Sequence, residues 1–115
     1  MSYVDGFVAA VPSANKDAYL AHVKKAGPLF KELGATRMVE CWGDDVPDGK
    51  VTDFRRAVQA KEDEVVIFSW VEWPSKEARN TGMEKMMSDP RMLSMKMPFD
   101  GKRMIFGGFQ PIFDG

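Results

Sequence analysis

Val65-Val66-Ile67-Phe68-Ser69-Trp70-Val71-Glu72-Trp73 is the stretch on which the fold turns. β-Branched and aromatic residues dominate it, Lys61-Glu62-Asp63-Glu64 makes a charged turn before it, and Pro74 stops it, so it reads as a strand. A sheet with one wet face alternates apolar and polar residues. This strand does not: Val65, Ile67, Val71 and Trp73 point one way, and Val66, Phe68 and Trp70 point the other. Both of its faces therefore call for cover.

The flanking segments supply the partners. Tyr3 to Val11 reads as a strand ended by Pro12. Ser13 and Asn15 are both suitable caps for a helix from Lys16 to Leu33, on which Tyr19, Val23, Ala26, Phe30 and Leu33 recur at steps of three and four. Gly34 suits the residue after its end, whereas Gly27-Pro28 predicts a kink or a break. Arg37 to Trp42 is a strand, residues 43–49 are a loop, and Phe54 to Ala60 is weakly strand-like, an extra hairpin strand. Ser75 caps a helix reaching about Ser88, and Asp89-Pro90 ends it. A short helical turn is expected over Arg91 to Met97 and a tight turn at Phe99-Asp100-Gly101-Lys102. Arg103 to Phe113 is the last strand, with Gly107-Gly108 as a bulge or a close backbone approach.

The order is β-α-β-β-α-β, the ferredoxin-like α+β pattern, with an antiparallel sheet and both helices on one face. In the last strand Met104 and Phe106 oppose Ile105, Phe109 and Phe113, so it too is apolar on both sides. Two helices cover only one face. The simplest cover for the other is a second copy of the same sheet, which predicts a homodimer joined sheet to sheet.

Composition narrows the function. The 115 residues are 44% apolar and 29% charged with net charge −1, which fits one domain over 1–115 and excludes a disordered chain. No apolar run approaches the ~20 residues of a membrane span. Split after Ala57, the chain has 8 basic and 8 acidic residues before and 8 and 9 after, with no basic stripe for nucleic acid. Cys41 is the single cysteine, so no internal disulfide forms, and the N-terminal residues lack a signal-peptide pattern. A reducing cytoplasm is the expected location.

Several residues are candidates for chemistry. Asp5, Glu40 and Arg103 are charged residues within expected strands, alongside Ser69 and Glu72. If Arg103 reaches Asp5 or Glu40, the pair either fixes the dimer seam or, facing a cavity, orients a polar ligand. Phe7, Trp42, Phe68, Trp70 and Trp73 line an apolar pocket for a flat or hydrophobic ligand, or simply pack core and interface. Met83, Met86 and Met87 on the second helix read as core filling. Cys41 with His22 makes a nucleophilic dyad only if the first helix lies over the second strand. Asp44, Asp45 and Asp48 form an acidic loop without calcium-loop spacing, and no metal or other cofactor is expected. No phosphate loop or nucleophile elbow is present.

Longer strings resemble a known family. Residues 3–12 (Tyr3 to Pro12), residues 40–50 (Glu40 to Lys50), Phe68-Ser69-Trp70 with Trp73-Pro74-Ser75, Asp89-Pro90-Arg91-Met92 and residues 97–109 (Met97 to Phe109) resemble the YbaA-like bacterial family of unknown function. That family is similar to the dimeric α+β barrel superfamily, which implies two ferredoxin-like sheets closing a barrel across a dimer. It transfers no catalytic residue. Superfamily relatives include cofactor-independent monooxygenases, isomerases and haem-degrading oxygenases. The haem-degrading branch uses an Asn on the first strand, a Trp on a central strand and a His on the second helix. Here Trp70 matches, Asp5 stands on the first strand, and the second helix offers Asn80 and no His, which argues against haem.

The expectation is a homodimer that binds a small hydrophobic or aromatic ligand between sheet and helices, with cofactor-independent oxygenase or isomerase chemistry. In it Asp5, Glu40 or Arg103 would move protons or orient charge. The alternative is a non-catalytic binding or interaction module.

Overall fold

The computed structural model describes residues 2–115; Met1, the start of the segment read above for a leader, lies outside them. Four strands, β1 (Tyr3–Pro12), β2 (Arg37–Trp42), β3 (Glu64–Trp73) and β4 (Ile105–Phe109), form one antiparallel sheet in the order β2-β3-β1-β4. The helices are α1 (Lys16–Glu32), α2 (Phe54–Ala57), α3 (Lys76–Met87) and α4 (Pro90–Leu93). The architecture is α+β.

Register divides the residues between two faces. Ala9 pairs with Ile67 and Asp5 with Val71, so odd-numbered residues of β1 and β3 share a face. Tyr19, Ala26 and Phe30 of α1 and Met86 of α3 pack on that face against Ala9, Val11, Ile67, Val71 and Trp73. Trp73 is fully buried, with the Phe30 ring edge-on to it at 6.4 Å between centroids. Fully burying one such aromatic contributes about 2–3 kcal/mol.

The opposite face carries Val4, Gly6 and Val8 of β1, Phe68 and Trp70 of β3, and Ile105 and Phe109 of β4. It is covered at one end only. Val58 and Ala60 pack on Val8, Ala10 and Val66, and Phe54 meets Phe68 edge-on at 6.1 Å. The expected hairpin strand over Phe54 to Ala60 is thus corrected to a short helix and turn. Asp53 dictates it: its Oδ1 accepts from the Arg56 backbone N–H at 2.7 Å, and helix capping outweighs weak strand propensity. Gln59 then takes φ 51° to turn the chain back.

Further expectations are corrected or narrowed. α1 runs unbroken through Pro28. Proline deprives the Lys24 carbonyl of its helical donor, and Lys24 is exposed, where water replaces it. β4 runs from Ile105 to Phe109 instead of from Arg103 to Phe113: Gly101–Arg103 is a 3-10 turn capped by Asp100, which takes Arg103 out of the strand, and Pro111 has no N–H for a ladder. Gly107 and Gly108 form no bulge and stay in register with Gly6 and Asp5. Gly108 is instead a close approach: a Cβ there would lie 2.5 Å from Tyr3 Oη and 2.8 Å from Arg79 Nη2. Asn15 precedes α1 without capping it; its side-chain amide donates to the Pro98 carbonyl at 2.9 Å.

Candidate functional site

A cavity of about 220 Å³ lies between α1, α3 and the helix-covered face of the sheet. Its walls are apolar: Phe7 from β1, Phe30 from α1 and Val71 from β3, closed over by Met92, Met95 and Met97 from α4 and the chain after it. Methionine is abundant here because its flexible thioether fills irregular space without specifying one shape. Met83 and Met86 of α3 also face the cavity, whereas Met87 is exposed.

Few polar groups enter. Tyr19 and His22 come from α1, Glu40 from β2 and Ser69 from β3. Glu40 reaches the cavity because Met38, Glu40 and Trp42 share the helix-facing side of β2, and it stands opposite Ser69 in the register. The Tyr19 hydroxyl donates to Glu40 Oε1 at 2.5 Å. Burial pushes the Glu40 carboxyl above its ordinary value, against the pull of the Tyr19 and Ser69 hydroxyls, which favour the charged form. Burial first, then Glu40, raises the Tyr19 phenol as well, so it remains a donor. Burial lowers His22, which favours the neutral imidazole. The cavity therefore offers an apolar volume with one carboxyl whose proton burial holds more tightly than usual.

The other two charged candidates lie elsewhere. Asp5 is buried on the helix-facing side, where Trp73 Nε1 donates to Oδ2 at 2.9 Å and Arg79 Nη2 donates to Oδ1 at 2.8 Å. Arg79 Nε lies 3.1 Å from both carboxylate oxygens, and its guanidinium sits over the Tyr3 ring. All of this ties α3 to β1 and β3. Arg103 reaches neither Asp5 nor Glu40. It makes a two-pronged pair with Glu64, both contacts 2.7 Å, and adds Asp100 and the Gln59 carbonyl. That guanidinium holds the Glu64 carboxyl down at about 2.

The five aromatic candidates do not form one pocket. Phe7 lines the cavity and stacks on Phe106. Trp42 packs on Tyr19 beneath the Lys16 ammonium. Trp73 is core, and Phe68 and Trp70 lie on the opposite sheet face, where Trp70 Nε1 donates to Glu72 at 2.9 Å. The Cys41–His22 dyad is likewise corrected. Cys41 is exposed and pairs in register with Phe68 on the face away from the helices, while His22 lines the cavity. Among the described residues no three His, Cys, Asp or Glu side chains converge as a metal-binding group, and no helix is long and apolar enough to cross a membrane.

Tyr19 and Arg79, the partners of the two inward carboxyls, are not among the candidates drawn from the sequence. Tyr19 carried a signal, as the one polar-tipped side chain on the apolar stripe of α1; a buried phenol requires a partner. Arg79 carried none beyond its place beside the methionines.

The uncharacterized protein YbaA of Escherichia coli K12 is 66% identical over 116 aligned positions, covering 99% of each chain, and YbaA of Shigella flexneri matches to the same extent. A family model described as protein of unknown function (DUF1428) matches residues 2–101. The chain is accordingly a member of the YbaA-like, DUF1428 family.

Proposed function

We propose that this protein binds a small hydrophobic or aromatic ligand in the cavity between α1, α3 and the sheet, as a one-domain, cytoplasmic homodimer. The observation that carries the reading is the pairing of an apolar cavity with a single hydrogen-bonded carboxyl, Glu40, at its wall. If the protein is an enzyme, of the cofactor-independent oxygenase or isomerase kind, Glu40 is the group to move a proton. Asp5 and Arg103 are already engaged in ion pairs and are assigned structural roles. That engagement also favours the second reading, a binding module without catalysis.

The ferredoxin-like assignment draws on the β-α-β-β-α-β core and the strand order β2-β3-β1-β4. The dimeric barrel draws on the uncovered sheet face, where Phe68 is 45%, Ile105 46% and Phe109 62% exposed. Contiguous exposed apolar surface of this kind marks interaction sites, and a second copy of the same sheet offers an equally apolar partner, while the charged Arg37 and Glu72 on this face pair with each other at 3.7 Å.

Native mass spectrometry of protein purified without added ligand tests both statements together. A dimer with retained small-molecule mass supports them. An empty dimer shifts weight to the interaction module, and a monomer sinks the barrel.

A further inference from the structure

A groove runs along the outside of α1 against β2, and Val23, Met38 and Glu40 line both it and the inner cavity. We infer that this groove is the mouth of the cavity and takes an amphipathic carboxylate, whose apolar body enters the cavity while its charged end stays between Lys24 and Lys31. The inference rests on the ligand-binding reading above and specifies its ligand class and route.

Four observations carry it. Lys24, Gly27, Pro28 and Lys31 line the groove at spacings that put them on one helical stripe. The two lysines flank a residue with no side chain: a Cβ on Gly27 would stand at an ordinary 4.0 Å from Met38 Sδ, so the glycine leaves a space of about one methylene between helix and strand. Lys24 and Lys31 are exposed, and neither is in an ion pair among the described residues. The one acidic residue lining the groove is Glu40, bonded to Tyr19 and shifted by burial toward its neutral form. A carboxylate entering here meets two free cations and a wall whose single acid is biased toward neutrality.

Calorimetric titration with octanoate, octan-1-ol and octylamine, which share one eight-carbon body, tests it at pH 7 and low salt. Methyl spectra of the methionines locate the ligand. Octanoate is expected to bind about fivefold tighter than octanol, at roughly 0.5 kcal/mol for each exposed lysine, and octylamine more weakly than either. The Met38 and Met83 methyl signals should move while that of exposed Met87 stays. In the double variant Lys24→Gln, Lys31→Gln the octanoate advantage disappears. Gly27→Phe closes the passage to all three, with its fold checked by circular dichroism. Octylamine binding as well as octanoate overturns the inference, as does an advantage that survives the double variant. Octanol binding inside the cavity without any octanoate preference defeats this inference alone. If none of the three ligands binds, the cavity reading falls and this one with it.

Discussion

Tyr19 Oη lies 2.5 Å from Glu40 Oε1, a phenol on α1 donating to a carboxyl on the edge strand β2. The bond joins helix to sheet at the wall of the cavity, and burial keeps the carboxyl above its ordinary pKa of 4.5. The folded protein therefore holds this proton at pH values where the unfolded chain has released it. The Glu40 contribution to stability is fully present below pH 4.5 and declines as pH rises through the higher folded value. Glu40→Gln removes that decline. Urea unfolding between acid and neutral pH should give a flatter profile for the variant, and an unchanged slope would count against burial as the controlling cause. Tyr19→Phe deletes the donor that favours the charged form, so the Glu40 carboxyl rises further, which carbon-detected NMR titration reads directly.

Glu64 has the opposite sign. Its carboxyl is held at about 2 by Arg103, below its ordinary 4.5, so its stabilisation is present above 4.5 and is lost as pH falls toward 2. Both side chains of the pair are largely buried, at 15% and 4% exposure. Arg103→Met leaves the Glu64 carboxylate without its main partner and should lower stability at pH 7. Chemical denaturation measures it. The same variant should lose much of the acid-limb slope, and a slope kept intact would assign it to other carboxylates.

What the sequence conveyed followed from local rules. The nine-residue string 65–73 showed a strand apolar on both sides, and β3 has its odd residues against α1 and α3 and its even ones on the other face. In the structure β2 alternates in the same way, with Glu40 on the side of Met38 and Trp42. The partners of the charged residues were not legible, because pairing depends on contacts distant in sequence: Asp5 meets Arg79 and Arg103 meets Glu64. Phe54 to Ala60 reads as a strand on propensity alone, and the Asp53 cap, whose side chain serves the backbone three residues on, makes it a helix instead.

Two helix glycines behave oppositely when replaced by alanine. At Gly27 the new methyl meets Met38 Sδ at an ordinary 4.0 Å, so the gain in helix propensity stands, and Gly27→Ala should stabilise the fold by about 0.5–1 kcal/mol. At Gly82 the same methyl would lie 2.6 Å from the Trp73 ring and 2.8 Å from the Leu33 carbonyl oxygen. Neither neighbour has room to retreat, and overpacking outweighs propensity. Gly82→Ala should destabilise by about 1–2 kcal/mol. Thermal unfolding of the two variants should shift in opposite directions; a gain at Gly82 would mean that α3 stands farther from Trp73 than described.

The uncovered sheet face separates assembly from binding. The Phe109 ring lies over Gly6 and Gly107, within 3.6 Å and 3.5 Å of where their Cβ atoms would be, and Phe68 stands beyond on the same face. A glutamate at either position would carry an unpaired charge into a sheet-to-sheet interface, where desolvation costs several kcal/mol. Exposed to water in a monomer, the same glutamate costs little. Phe109→Glu and Phe68→Glu should therefore convert a dimer to monomers in sedimentation equilibrium without loss of secondary structure by circular dichroism. Because the cavity lies on the opposite side of the sheet, lined by Glu40, Val71 and Met83, ligand affinity should persist in these monomers. A dimer that survives both substitutions would place its interface elsewhere on the molecule, and the exposed Ile112 and Phe113 after β4 would be the next residues to replace.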